Sequence, residues 1–214
     1  GKPNMNVGEV RNKGWELSLS WNDRINDFGY SISGNLSDNR NEVVDLGDTG
    51  PWKGSNTYTE VGLPFNSIYG YESMGLFQSD EEVANAPFQN SNTAAGDIRY
   101  KNQNGDDKID ANDRVVIGDP NPHFLYGVNL GFDYKNFDLN MFFQGIGQKD
   151  RVIMDNFVRP FFDSSIFKHH LDYWTPENAG AKYPRILNKD DGTHNYQQSD
   201  YWMINAGYFR MKNL

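Results

Sequence analysis

The stretch HFLYGVNLGFDYKNFDLNMFFQGIG, residues 123–147, places Phe124, Tyr126, Val128, Leu130, Phe132 and Tyr134 on every second position. After Lys135 and Asn136 the count restarts with Phe137, Leu139, Met141 and Phe143. Successive side chains of a strand point to opposite faces, so this pattern predicts two one-sided strands joined by a two-residue turn. Helical spacing does not fit. An earlier stretch repeats the design: Trp15, Leu17, Leu19 and Trp21 alternate with Glu16, Ser18 and Ser20. Beyond the Asn/Asp-rich turn at 22–27, Phe28, Tyr30, Ile32 and Leu36 lie opposite Ser31, Ser33, Asn35 and Ser37. Strands are expected over 15–21, 28–37, 124–134 and 137–145, as two antiparallel hairpins with both turns at one end. YWMINAGYFRMKNL, residues 201–214, is a fifth candidate whose apolar residues fall on both parities, so its facing is undetermined.

These apolar stripes sit in a chain that is hydrophilic on average. Its 214 residues carry a formal net charge of -9, no cysteine and 14% aromatics. The length suffices for one domain with a real core. The absence of Cys excludes disulfides, thiolate zinc and a cysteine nucleophile. The acidic balance argues against nucleic acid, whose phosphates need clustered Lys and Arg. No run approaches the roughly 18 apolar residues of a membrane helix. The chain opens without Met and closes on the strand-like YFRMKNL, and is expected to be an internal piece of a larger protein.

Connection lengths alternate. Short turns at 22–27 and 135–136 are followed by long loops at 41–122 and 147–200, far beyond the ~12–15 residues that compact domains tolerate without a reason. Local structure is expected in them: a short helix from SDEEVAN, where Ser79 and Glu82 have capping-box spacing, and another over 164–174 stopped by Pro176.

A one-sided stripe fits two architectures. In a β-sandwich the apolar face is the core; in an outer-membrane barrel it meets lipid and the polar face lines the lumen. Three features favour the barrel. The polar faces are small and mostly neutral (Ser18, Ser20, Ser31, Ser33, Asn35, Gly127, Asn129, Gly131, Asn140). Trp15, Trp21, Phe28, Phe124, Tyr134 and Phe137 are placed at strand ends as interfacial girdles require. Short turns at one end and long loops at the other match periplasmic turns and extracellular loops. Five strands cannot close a barrel, so the remainder must come from outside this chain. A soluble secreted β-domain that binds glycans through loop aromatics (Trp52, Tyr58, Tyr69, Tyr71, Trp174, Tyr183, Tyr196) stays as the alternative.

Within the first loop, NQNGDDKIDAND aligns with the twelve-residue EF-hand pattern. Asn102, Asn104, Asp106, Asp110 and Asp113 take positions 1, 3, 5, 9 and 12, with the Lys108 carbonyl at 7. Alternate positions of a turning loop can point oxygens inward together, which suits Ca²⁺. Asp107 stands where the sharp turn wants Gly, and position 1 is Asn, so an Asx-rich turn without metal is the competing reading. His169 and His170 are adjacent and would diverge on a helix; His123 and His194 are isolated. No catalytic spacing, phosphate loop or singled-out carboxylate pair is present, and enzyme activity is not expected.

Four blocks in this order, NVGEVRNKGWELSLSW, GDIRYKNQNGDDKIDANDRVVIGDPNPHFLYGVNLGFDYKNFDLNMFFQG, YWTPENAGAKYPRI and SDYWMINAGYFRMKNL, carry a family likeness. The chain resembles the C-terminal barrel region of SusC/RagA-type TonB-dependent transporters of Bacteroidota outer membranes. The likeness runs from Asn6 to Leu214. It implies that residues 1–214 are part of one all-β, antiparallel transmembrane barrel domain, a fragment of 22 strands with long extracellular loops. It further implies a plug domain coupled to TonB, a SusD-like surface lipoprotein as partner, and oligosaccharide or peptide substrates. NQNGDD departs from the family's DxNGDG, which bears on the metal rather than on the family.

Overall fold

The computed structural model describes residues 8–161, 166–187 and 195–214. Five antiparallel strands form the main sheet: β1 Glu9–Ile25, β2 Phe28–Asp45, β3 His123–Tyr134, β4 Phe137–Gln148 and β5 Tyr208–Asn213, in that spatial order. Both expected hairpins are present, and β2 pairs with β3 from Phe28↔Tyr134 to Ser37↔Leu125. The two turns therefore lie side by side. Asn26 and Lys135 lead them with φ of 53° each, the left-handed conformation that tight hairpin turns require and that Asn accepts more readily than Lys.

The strands are longer than the alternation suggested. β1 runs on to Ile25, so the turn is Asn26-Asp27 rather than all of 22–27, and β2 continues to Asp45, past the expected loop start at 41. The polar residues at these ends mask the period-two signal while the backbone ladder continues. One consequence corrects the girdle. Trp21 lies opposite Ile32, in the row of Leu130 and Met141, and so sits mid-sheet. Phe28, Tyr134 and Phe137 form the row at the turn end, and Trp15 and Phe124 lie towards the loop end.

Register puts every stripe on one face. Leu19, Gly34, Val128, Phe143 and Met211 form one cross-strand row, and Leu17, Leu36, Tyr126, Gly145 and Phe209 the next. This settles β5: Phe209 and Met211 join the apolar face, while Tyr208 and Arg210 pair with Ile146 and Gln144 on the other. Gly145 lets Tyr126 lie flat, since a Cβ there would come within 2.3 Å of its ring, and Phe209 stacks on both Tyr126 and Phe143. On the polar face Gly131 makes the same allowance for Ser31 and Asn140.

Nothing among the described residues covers the apolar face. Leu19 is 67% exposed, Phe137 79%, and every residue of β1 is exposed. A sandwich would bury these positions under a second sheet, so the soluble β-sandwich reading finds no second layer here. Nor is any described helix long and apolar enough to cross a membrane.

The buried core lies in the loops instead. Ile98, Tyr100, Val158, Tyr183 and Trp202 pack together, flanked by Tyr71, Leu76, Ile109 and Val152. Burying each such large side chain is worth about 1.5–3 kcal/mol. Small sheets frame it: Trp52–Lys53, Thr57–Thr59, Ser67–Tyr71 and Arg114–Gly118 in one, and Ser73–Leu76 with Ile98–Tyr100 in another. The expected helix forms over Asp80–Ala84 with Ser79 as its cap, though Glu82 reaches back to the Gln78 N–H. The helix expected over 164–174 does not: a 3₁₀ turn covers only Lys168–Leu171, and residues 164 and 165 lie outside the described set. Pro176 opens a further 3₁₀ turn rather than ending a helix.

Candidate functional site

The surface offered at the loop end depends on how the two long loops hold each other. Asp97 is fully buried and accepts from Arg185 Nε at 2.7 Å, from Arg185 Nη2 at 3.0 Å and from Asn195 at 2.7 Å. The Asn195 oxygen in turn accepts from the Ile98 N–H at 2.8 Å. First-loop residues 97 and 98 are thus bolted to second-loop residues 185 and 195. Gly96 lies directly under the Trp174 ring, with a φ of 87° and no room for a Cβ, while Trp174 donates to Gln78 at 3.1 Å. The two loops form one body.

Most of the loop aromatics that suggested sugar stacking serve this body. Tyr69, Trp174 and Tyr183 are buried, Tyr58 stacks on Tyr69 and Tyr71 packs against Tyr100. Trp52 stays exposed and donates to Thr49. His169 and His170 converge rather than diverge: both Nε2 atoms face the Phe157 carbonyl, at 2.7 and 3.0 Å. His170 also accepts the Phe167 N–H on Nδ1, which fixes its proton on Nε2. Burial, with His169 beside it, pushes His170 below its ordinary value of 6.5. His194 lies outside the described residues.

The acidic loop folds as a ladder of Asx turns. Asn102 accepts from the Gly105 N–H, Asn104 from Asp106 and Asp106 from Lys108. Asp113, fully buried, accepts from Gln103 and Asp110, closing the loop end to end. The Lys108 ammonium sits 2.6 Å from Asp110, and the Lys108 pair holds the Asp110 carboxyl below its usual range. Among the described residues no three His, Asp or Glu side chains gather as a cation site.

Where the first loop returns to the sheet, His123 is wedged between two carboxylates. Its Nδ1 is 2.6 Å from Asp38 on β2, and its Nε2 is 3.2 Å from Asp119. Flanking carboxylates on both nitrogens suit a doubly donating imidazolium. Phe124 takes a φ of 55°, interrupting the alternation where the loop enters β3. Neither this clamp nor the Asp97 knot was readable as a site in sequence, since Asp38 lies 85 residues from His123 and Asp97 lies 88 from Arg185.

A wall of antiparallel strands, uncovered on both faces by any described residue and joined at one end to structured loops, defines a class: a portion of an all-β, antiparallel single-layer protein. No family model matches the chain. It is 33% identical over 193 residues to TonB-dependent receptor P26 of Formosa agariphila, covering 85% of this chain and 19% of that one. TonB-dependent receptor P3 of the same organism is 29% identical over 98% of this chain and 22% of its own length. In structure the chain matches the RagAB peptide transporter with a TM-score of 0.73 at 22% identity, over 97% of this chain and 23% of that one. The same importer in its open-open state gives the same score. The chain's homologues are therefore TonB-dependent receptors, not enzymes, and its fold is that of a stretch of RagAB, as the SusC/RagA likeness indicated. It spans about a fifth of the length of the relatives it matches.

Two outcomes follow. Arg185→Leu removes the guanidinium that donates twice to the buried Asp97 carboxylate, which should cost on the order of 3 kcal/mol of local stability. Limited proteolysis of the full receptor should then cut near 90–100 and 182–187, with the sheet intact. Separately, His170 resists protonation when folded, so its contribution is present above about pH 6.5 and lost as pH falls towards its lowered value. Protection factors of amides over 155–161 and 166–172, corrected for the slower intrinsic exchange at low pH, should fall on acidification from about pH 7.5 to 5, and His170→Gln, a neutral mimic, should flatten that dependence.

Proposed function

We propose that the chain is part of the wall and outer mouth of a closed, 22-stranded transmembrane barrel in a bacterial outer membrane. The single observation that carries the reading is the apolar face, continuous over five strands in register and covered by no described residue. In water such a face is a liability; against lipid it is required. From Trp15 to Ile25 the strand advances ten residues, and at about 3.3 Å per residue with a 35–45° tilt this spans about 25 Å, the height of a barrel's apolar band. Among the described residues β1 and β5 each pair on one side only, and further strands of the same domain would satisfy their outer edges.

In this reading the Ser, Gly and Asn face lines the lumen, and energy enters through TonB and a plug. The loop body forms the mouth, where a SusD-like lipoprotein docks and an oligosaccharide or peptide enters. The likeness to a peptide transporter supports the peptide half of that pair. We also propose the loop of Asn102, Asn104, Asp106, Lys108, Asp110 and Asp113 as a weak Ca²⁺ site. The Gln103–Asp113 bond, which brings position 12 beside position 2, supports it. Lys108 must release Asp110 first, so affinity near about 10⁻⁴–10⁻³ M is expected.

Facing is tested by Leu130→Arg, mid-strand on the apolar face, which should cost about 2–4 kcal/mol and reduce the heat-modifiable folded band of the full receptor. Asn129→Arg, pointing the other way, should assemble normally. Equal bands for both would defeat the barrel. For the metal, a chelator should raise cleavage around 100–115 to the level that Asp106→Ala shows in Ca²⁺ buffer. No effect of chelator on the unmodified protein would leave an Asx turn alone.

A further inference from the structure

Above Trp15 the outward face changes character abruptly. The next rows towards the loops place Lys13 directly opposite Arg40, and Arg11 opposite Glu42. These positions share parity with Trp15, Leu17 and Leu36, so their side chains leave the same face as the apolar stripe. Like charges directly opposite on a sheet repel, and a protein of net charge -9 had many alternatives to this pair. The partners do not cancel it. Arg40 Nε reaches Asp38 Oδ2 at 3.4 Å while His123 holds the other oxygen at 2.6 Å, so one carboxylate is shared between two cations, and the Arg40 side chain remains 71% exposed. Arg11 meets Glu9 only at 3.9 Å, and Lys13 enters no ion pair among the described residues. Arg11, Lys13, Gly14, Trp15, Asp38, Arg40 and Glu42 enclose a shallow concavity.

We propose that this concavity binds the phosphate-bearing headgroup of an outer-leaflet glycolipid, with Lys13 and Arg40 sharing the phosphate and Trp15 lying against the lipid beneath it. The inference rests on the barrel reading, which fixes this face as the lipid side and the loop end as the outer one. Height is the argument for a lipid rather than a free anion. Lys13 lies two residues above Trp15, about 7 Å along the strand and about 5 Å along the membrane normal. That is the depth at which headgroups begin above a hydrocarbon edge, since a ~30 Å core sits in a bilayer of about 40–45 Å. A phosphate bridging the two cations removes their repulsion, and a bidentate guanidinium suits it. Glu42 and Glu9 lie further up and Asp38 lies in the Trp15 row below, against Arg40 Nε, so the phosphate is taken by Lys13 and the exposed side of the Arg40 guanidinium.

The test uses the full-length receptor extracted from its own outer membrane in mild detergent, with co-purifying phosphorylated glycolipid measured by native mass spectrometry. Lys13→Gln with Arg40→Gln should lower retained glycolipid roughly thirtyfold, from about one unit of surface attraction lost per cation. Lys13→Arg should retain it, and Lys53→Gln with Lys182→Gln, removing equal charge from the loops, should not change it. All variants should keep the heat-modifiable folded band. Equal retention by a folded, membrane-embedded double variant overturns the site while leaving the barrel standing. Displacement of the glycolipid by excess inorganic phosphate would make this a bare anion site and overturn the lipid assignment. A wild-type receptor found outside the membrane would overturn both readings.

Discussion

The pairing of β2 with β3, from Phe28↔Tyr134 to Ser37↔Leu125, is the constraint on which everything else hangs. It joins two hairpins separated by a loop of more than seventy residues and aligns their apolar parities row by row. A slip of one residue would drive Ser31, Ser33 and Asn35 onto the face of Leu130 and Phe132. The cost would fall on every row at once, which is why a single register is specified. Closing that junction also requires the first loop to leave β2 and re-enter β3 at adjacent points. The His123 clamp on Asp38 and Asp119 marks the re-entry.

With neither face of the sheet covered by a described residue, the burden of forming a core passes to the loops. They contain a packed interior of Ile98, Tyr100, Val158, Tyr183 and Trp202, and a buried ion pair between Asp97 and Arg185 that locks their relative position. This division is physically consistent. A single layer in which every second residue is apolar offers no interior, and its stability rests on the backbone ladder and on whatever covers each face. A loop body of this size, by contrast, must hold its own shape and needs a core of its own. The chain's homologues are TonB-dependent receptors, and its fold is that of a stretch of RagAB.

The polar face and the apolar face also differ in how they use glycine. Gly131 leaves space for Ser31 and Asn140, keeping the polar side low, whereas Gly145 admits the flat ring of Tyr126 and thickens the apolar side. Basic residues then mark the upper limit of that apolar side, at Lys13 and Arg40, immediately past Trp15.

Period-two alternation alone determined that 15–21, 28–37, 124–134 and 137–145 are strands, that they pair as hairpins, and that one face is apolar, because side-chain direction in a strand is a local property of the backbone. Ser79 and Glu82 likewise announced a helix start through local capping chemistry. The true ends of β1 and β2 were hidden, since Asn22, Asp23, Arg24 and residues 38–42 are polar on both parities. The facing of β5 was decided by Phe143 and Phe209, which meet only in the folded sheet. The Asp97–Arg185–Asn195 knot, the His123 clamp and the opposed Lys13 and Arg40 were decided there as well. Their chemistry depends on distances across strands and loops, and an isolated Asp, His or Lys carries no local sign of the partner that will face it.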